Sequence, residues 1–565
     1  MMESGSVVLS EHLYWEVVVV LAKVRSCALL GIDAYPVEVE VDVGRGLPSF
    51  STVGLPDAAV RESRERVISA IRNSGFEMPP KRVVVNLAPA GTRKEGAGFD
   101  LAVAVGLLVA TGQVPADRHD GYIFVGELSL DGRLRPVRGV LSMALAARST
   151  RSAQNAGTTD DVRMVVPEEN GEEAAVALGA CVLTAKTLGD VVRFLRGDRT
   201  LPPPLCQSEG ETSVCSASSG GGVNGSGLPH GRSAAAGARR QALVDFSDVK
   251  GQHHARRALE VAAAGGHNVL MIGPPGAGKT MLARRLPSVL PPLTEDESIE
   301  TTRIYSAAGK LPRGVVLLSA RPFRSPHHTV SAAGMIGGGK IPRPGEVSLA
   351  HNGVLFLDEL PEFRRDVLEA LRQPIEEGNL TVSRAGATVL FPARFMFIAA
   401  SNPCPCGHFT DALKECHCTP IQVRNYMGRL SGPLLDRIDL HVSVPRLSFR
   451  DISETRESES SERIRERVLR ARALQLERYR EVPEVRTNSD LGENLIKKFC
   501  IVDESGLSLL RAAMERLGLT GRAFHRILKV ARTIADLDGA ELPRAEHVAE
   551  AIQYRSLDRI EGGIL

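Results

Sequence analysis

The sequence predicts a multidomain α/β protein: an N-terminal α+β domain, a P-loop α/β core and a C-terminal helical lid. Three observations predict it. Gly273-Pro274-Pro275-Gly276-Ala277-Gly278-Lys279-Thr280 follows the apolar run Asn268–Ile272 and opens into the helical pattern Met281–Leu286, the strand, glycine loop and helix of a phosphate-binding motif. Downstream, Asn352-Gly-Val-Leu-Phe-Leu-Asp358-Glu359 reads as a buried strand that ends in two carboxylates. Alternating strand and helix patterns before residue 199 are separated from both motifs by a stretch rich in Pro, Gly, Ser and Ala, a linker composition.

The first two observations carry chemistry. Backbone N–H groups of the loop Gly273–Thr280 and the helix N-terminus can cradle phosphate oxygens. Lys279 is expected to reach the β- and γ-phosphates, and Thr280 to bind a magnesium ion. Asp358, at the tip of a neighbouring parallel strand, is expected to hold the Mg2+ through water, and Glu359 to polarise the water that attacks the γ-phosphate. An ordinary glycine-rich turn and a strand with a polar end are the competing readings; the flanking strand and helix signals argue against both. An ATPase using ATP and Mg2+ is expected.

With 565 residues the chain is too long for one core, and about three or four domains are expected. Hydrophobic content of 43% with 24% charged residues is ordinary for a globular protein. A formal net charge of +2 makes any nucleic-acid surface local rather than global. Four of the nine cysteines crowd between Cys404 and Cys418, which suits a reduced, cytoplasmic setting better than a disulfide framework. The run Val17–Ala22 is too short to span a bilayer. Upstream of it stand Glu3, Glu11 and Glu16 without Lys or Arg, unlike a signal peptide, so no membrane partner is expected.

In chain order, residues 1–20 read as an N-terminal extension or as residues upstream of the natural start. Residues 21–199 form the first domain. Tyr35–Val43 alternates strictly and reads as a half-buried strand, Asp57–Ser74 as a capped helix, Lys81–Leu87 as a strand and Phe99–Thr111 as a helix of small residues. Tyr122–Leu130 reads as one strand running into a hairpin turn at Asp131-Gly132. Gly126-Glu-Leu-Ser-Leu-Asp-Gly-Arg-Leu-Arg-Pro-Val-Arg-Gly139, followed by an Ala-rich helix near Ala144, resembles the Lon-protease-type fold of the ribosomal S5-like superfamily. In the proteases a Ser nucleophile lies in a glycine-rich segment and a Lys follows the second motif. The corresponding segment Lys94–Asp100 has no Ser, and the Lys position falls near Leu141. Lacking an activated nucleophile, the domain is expected to be a catalytically inactive scaffold; Ser142 as a displaced nucleophile is the alternative.

Residues 200–242, with Pro202–Pro204, Gly220–Gly222 and Ala234–Ala236, are the expected disordered linker. The ATPase core is placed at 243–446. Phe246 and Val249 are spaced to pack on it, and Gln252 starts a helix to Ala264. Asp248-Val-Lys-Gly-Gln252, the P-loop and Leu357-Asp-Glu-Leu360 look like an AAA+ ATPase. Arg324-Ser-Pro-His-His-Thr329, Pro344–Ala350, Ser431–Asp439 and Arg522–Asp536 narrow the resemblance to the magnesium-chelatase-like ATPases of the YifB/ComM family. It covers nearly the whole chain from Leu21, and its main departure is the long linker.

The resemblance implies further roles. Asn402, after the strand Phe397–Ser401, matches the first sensor that orients the attacking water. Arg437 matches the finger given to a neighbouring subunit's site, with Arg429 as the fallback, and Arg522 matches the second sensor; each arginine could instead be a surface charge. A finger supplied in trans needs head-to-tail contacts, and the resemblance implies a homo-hexameric ring. The glycine-rich loop Ala332–Lys340 and the hairpin Asn379–Phe391, turning at Ala385-Gly386, occupy places that face the pore in related ring motors. Lys340 and Arg384 are therefore candidate phosphate contacts to single-stranded or branched DNA, or else solvated loop charges.

Cys404, Cys406, Cys416 and Cys418 form two Cys-x-Cys pairs, which could bind Zn2+ as a structural four-thiolate site or remain free thiols. Ser453–Arg480, within a charged helical connector at 447–488, is expected to be a solvated helix or subunit contact with Ile464, Val468, Leu469 and Leu474 as its apolar stripe. Residues 489–565 are the expected lid of three or four helices. The resemblance implies a DNA motor, with branch migration or strand exchange while DNA integrates during natural transformation. A chelatase-subunit-like or chaperone-like ATPase that remodels or regulates protein partners is the alternative.

Overall fold

Strict alternation makes Asp33–Gly44 a strand that buries Val37, Val39, Val41 and Val43 on one face. That strand anchors the first of two compact units, 1–227 and 228–565, in a computed structural model. The structure describes residues 21–154, 162–204, 244–312, 314–339, 342–384, 387–409, 411, 413–447 and 458–555. The N-terminal extension, most of the linker, Lys340, the turn Ala385-Gly386 and the last residues of the chain lie outside the described residues.

The first unit runs β1 (Ala22–Leu30), β2 (Asp33–Gly44), β3 (Ser49–Val53), α1 (Ala58–Asn73), β4 (Arg82–Ala88), α2 (Asp100–Ala110), β5 (Tyr122–Phe124), β6 (Glu127–Leu128), β7 (Leu134–Arg135), α3 (Val140–Gln154), β8 (Arg163–Pro167), α4 (Gly171–Leu178), β9 (Val182–Ala185) and α5 (Leu188–Arg196). Seven strands form one mixed sheet in the order β3-β4-β2-β1-β5-β8-β9. Asp57 caps α1 by accepting the Val60 N–H at 2.8 Å. Every residue of α2 is buried, as its small-residue composition predicts for a helix covered on all sides.

One expectation here is corrected. Tyr122–Leu130 is not a single strand: β5 stays in the main sheet, and β6 turns away to pair with β7 around Asp131-Gly132. The break falls at Gly126, whose N–H donates to Gly98 O and whose carbonyl accepts from Leu101 N–H. Those bonds divert the backbone onto the start of α2. Ser142 is buried and donates to Ile32 O at 2.6 Å.

In the second unit β10 (Val269–Ile272), β11 (Phe323–Arg324), β14 (Val354–Leu357), β17 (Met396–Ser401) and β18 (Leu440–Ser443) form an all-parallel sheet in the order β11-β14-β17-β10-β18. Continuous apolar runs suit strands covered on both faces. Two ribbons stand apart: β12 (Gly337–Gly338) with β13 (Arg343–Pro344), and β15 (Asn379–Arg384) with β16 (Ala387–Pro392). The second is the expected hairpin. Phe246 and Val249 are buried in the core of this unit, as their spacing predicts. Among the described residues the last four helices are Glu493–Phe499, Glu504–Leu517, Gly521–Leu537 and Ala545–Gln553. Among the described residues no helix is long and apolar enough to cross a membrane.

The connector helix also differs from expectation. It spans Ser461–Arg478 and buries Ile464, Val468, Ala471 and Gln475, while Leu469 and Leu474 are 39% and 45% exposed. It is not a solvated helix. It packs against the helices His253–Gly265, Lys279–Val289 and Gly521–Leu537 and shares their core.

Candidate nucleotide-binding site

In a parallel sheet, ligands gather at the carboxyl ends of the strands. The end of β10 passes into the P-loop, the end of β14 carries Asp358 and Glu359, and the end of β17 carries Asn402. Registers align these three tips: Ile272 pairs with Ser401, and Leu357 with Ala399. Motifs far apart in sequence therefore meet because their strands are neighbours.

The P-loop turns into the helix Lys279–Val289 through Gly278 at φ 90°, a left-handed conformation that favours glycine. Lys279 is 8% exposed and its ammonium donates to Gly273 O at 2.6 Å, Pro274 O at 3.0 Å and Asn402 Oδ1 at 3.1 Å. Burial pushes its pKa down, opposed by the charges of Asp358 and Glu359. Thr280 Oγ1 donates to Asp358 Oδ2 at 2.6 Å, and the Glu359 N–H donates to Asp358 Oδ1 at 3.0 Å. A hydroxyl and a carboxylate in contact form an all-oxygen set suited to Mg2+, which keeps most of its waters. The residues fit that ion.

Glu359 sits at φ 53° with its side chain 54% exposed. A non-glycine residue held at positive φ stores strain of about 1–3 kcal/mol and aims its side chain. The carboxylate thereby stays free of the Thr280–Asp358 pair and can contact water. His328 Nδ1 lies 3.8 Å from Glu359 Oε2, and the His327 and His328 rings are 4.0 Å apart. The segment Arg324–Thr329 marked the family without a role for either histidine; only the fold places His328 beside Glu359.

The candidate arginines stand elsewhere. Arg437 pairs with Glu376 and donates to Pro433 O at 2.7 Å. Arg429 pairs with Glu362 at 3.2 Å, and Arg522, 64% exposed at the start of the helix Gly521–Leu537, lies 3.7 Å from Asp436. The backbone beneath Arg437 is fixed from two sides: its carbonyl accepts from Asn268 Nδ2 and from Arg526 Nη1, each at 3.2 Å. Asp439 is the buried hub of that join. It accepts from the Asn268 N–H at 3.0 Å, pairs with Arg526 and lies 3.4 Å from His267 Nδ1. Burial opposes its charge, but Arg526, His267 and Lys529 more than offset this and hold its carboxyl well below the usual range. Sequence reasoning missed Asp439, although it stands two residues after Arg437 in a quoted motif.

Cys404, Cys406, Cys416 and Cys418 converge, with all four sulfurs within 4.8 Å of one another. Arg384 ends β15, its backbone opposite Ala387.

Comparisons with known proteins agree with this architecture. The family described as magnesium chelatase, subunit ChlI, matches residues 245–452; subunit ChlI of Mg-chelatase matches 39–170, and its C-terminal family matches 458–555. Competence protein ComM of Haemophilus influenzae is 43% identical over 541 residues, 96% of this chain and 98% of that protein. YifB of Escherichia coli is 42% identical over the same shares of both chains. The magnesium-chelatase 38 kDa subunit of Rhodobacter capsulatus is 29% identical over 39% of this chain and 61% of its own length. Membership of this AAA+ group implies ATPase activity with ATP and Mg2+. The chain belongs to the magnesium-chelatase-like family that includes ComM and YifB.

Proposed function

We propose that the chain is an ATP-driven ring motor that acts on DNA and moves branched junctions. The observation that carries the ATPase half is the pairing of Lys279 with Asn402 and of Thr280 with Asp358 across the tips of the three consecutive strands β14, β17 and β10. On this reading ATP displaces the carbonyls of Gly273 and Pro274 from the Lys279 ammonium, which turns to the β- and γ-phosphates. Loop N–H groups from Gly273 to Thr280 hold the remaining phosphate oxygens. Bound Mg2+ supplies charge neutralisation across the β- and γ-phosphates. Thr280 and Asp358 are the residues that hold it.

Glu359 takes the proton of the attacking water, and Asn402 orients that water from the neighbouring strand tip. Arg437, released from Glu376, reaches the γ-phosphate of a neighbouring subunit, an arrangement that requires head-to-tail contacts; the family resemblance closes them into a hexamer. Arg522 approaches the γ-phosphate from the lid of its own subunit. The first unit, with its Lon-protease-like resemblance and its tied Ser142 hydroxyl, acts as a scaffold.

The DNA half is supported by near full-length similarity to a competence protein. Lys340 and Arg384 supply sequence-independent phosphate contacts in the pore. We place the motor in the cytoplasm, where thiols such as Cys404 and Cys406 stay reduced. A second reading is favoured by the chelatase subunit matches: a nucleotide-controlled ATPase that remodels or regulates a protein partner.

One experiment separates them. ATP hydrolysis is measured with and without single-stranded and branched DNA, followed by movement of a synthetic three-strand or four-way junction. DNA-stimulated hydrolysis is expected, with junction movement lost and hydrolysis down about 10²–10⁴-fold in Glu359→Gln. Hydrolysis indifferent to every DNA form rejects the DNA motor and selects the second reading.

A further inference from the structure

The loop that leaves Asn402 carries thiols which the ATPase reading leaves unused. Cys404 Sγ lies 3.3 Å from Cys406 Sγ and 3.7 Å from Cys416 Sγ, and Cys406 Sγ lies 3.6 Å from Cys416 Sγ. Cys418 completes a group whose four sulfurs all fall within 4.8 Å, and none of the four is in a disulfide. Four thiolates about 2.3 Å from one tetrahedral zinc ion would stand about 3.8 Å apart, close to the spacing seen.

His408 is held aside by Asp411 at 3.0 Å, and Arg446 holds the same carboxylate at 3.3 Å, so the sulfurs make up the donor set.

The loop is also tied to the P-loop. Gly407, at φ 82°, lies so close to Pro275 that an added Cβ would stand 2.5 Å from Pro275 Cδ. Cys404 is fully buried two residues after Asn402, and Cys418 precedes the helix Pro420–Met427, which leads toward Arg429 and Arg437.

We infer that Cys404, Cys406, Cys416 and Cys418 bind one zinc ion as a closed four-thiolate site that braces the loop between Asn402 and Arg437 against Pro275. Four protein ligands leave no position for a reacting water, so the ion is structural. Zinc binds thiolates, so binding releases thiol protons and acid promotes its release.

The test uses the full chain without an affinity tag, purified under reducing conditions from zinc-supplemented medium. Elemental analysis is expected to find one zinc per chain, and Cys418→Ser to remove most of it. Should that variant fail to fold, thiol titration of the wild type before and after chelation replaces it, with four additional reactive thiols expected. Replacement by cobalt should give the intense thiolate charge-transfer band of a four-sulfur site. Substoichiometric zinc with all four thiols freely reactive overturns the proposal. The bracing role rests on the nucleotide-site reading: chelated protein should bind ATP several-fold more weakly while keeping its fold. Unchanged ATP affinity after zinc loss overturns the brace but not the site, and metal content stands whether or not the chain proves to be a DNA motor.

Discussion

Lys94 in the first unit and Lys279 in the second are 0% and 8% exposed, and both give their ammonium groups to backbone carbonyls. Lys94 donates to Pro89 O, and its own backbone bonds to Leu55 and Asp57 on either side. Lys279 donates to Gly273 O and Pro274 O, but it also meets Asn402 and feels Asp358 and Glu359, with Glu359 open to solvent. A buried cation held by carbonyls alone braces a fold. One with a polar side chain and two carboxylates at its open side holds those carbonyls only until a better anion arrives.

Removing each ammonium separates the two lysines. Lys279→Ala should lower ATP hydrolysis by more than about 100-fold, the scale for losing one preorganised donor to developing charge. Lys94→Met should leave hydrolysis per folded chain unchanged, yet destabilise the first unit by about 1 kcal/mol, the net worth of one hydrogen bond to the exposed Pro89. Steady-state hydrolysis and urea unfolding of both variants check this. Equal losses of activity would erase the distinction between brace and placeholder.

Two buried carboxylates extend the contrast at smaller scale. Asp100 faces one guanidinium, with Arg66 donating at 2.8 and 3.2 Å, and burial pushes its pKa up to about 6 against that pull. Asp439 has Arg526, His267 and Lys529 around it and stays ionised far below the usual range. Their linkage signs are opposite. Relative to an unfolded value near 3.9, the Asp100 contribution is present below about pH 4 and is lost as pH rises through about 6. The Asp439 contribution is complete above about pH 4 and is lost as pH falls further. Hydrogen-exchange protection should therefore decline from pH 4 to 6 in α2 and fall below pH 4 in the helix Gly521–Leu537. Asp439→Asn should cost about 2 kcal/mol at pH 7, since Arg526 keeps its place with no full charge to meet; Asp100→Asn should flatten the α2 profile. Parallel pH profiles in the two helices would refute the opposed shifts.

These examples show what a linear reading can reach. The P-loop, the Asp358-Glu359 strand end and the hairpin Asn379–Phe391 are legible because each is a local pattern whose geometry follows from its own residues, whereas Asn402 is singled out by the family resemblance. The sheet then brings the strand tips together. His328 beside Glu359, Gly407 against Pro275 and Asp439 beneath Arg437 are contacts between segments remote in sequence, and no period or spacing announces them. Tyr122–Leu130 misled for the converse reason: its residues favour a strand throughout, but Gly126 is drawn away by bonds to Gly98 and Leu101.

The connector helix supplies the finest contrast, between adjacent residues. Hydrophobicity selects Leu474 for the core, yet the buried position belongs to Gln475, which is 0% exposed beside a leucine that is 45% exposed. The helix turns by 3.6 residues, so Ile464, Val468, Ala471 and Gln475 share one face, and Leu474 points a full step off it. Gln475 belongs inside because two main chains need its amide: its Nε2 donates to Ala264 O at 3.1 Å, and its Oε1 accepts from the Asn488 N–H at 3.1 Å. It joins the helix His253–Gly265, which leads into β10, to the segment at Asn488. Gln475→Leu should therefore destabilise the second unit by about 1–3 kcal/mol despite its gain in hydrophobicity, because two buried backbone groups lose their partners. Leu474→Gln should change stability by no more than about 0.5 kcal/mol. Thermal unfolding of the two single variants decides between position and hydrophobicity: a larger loss from Leu474→Gln would return the leucine to the core and put the register of this helix in error.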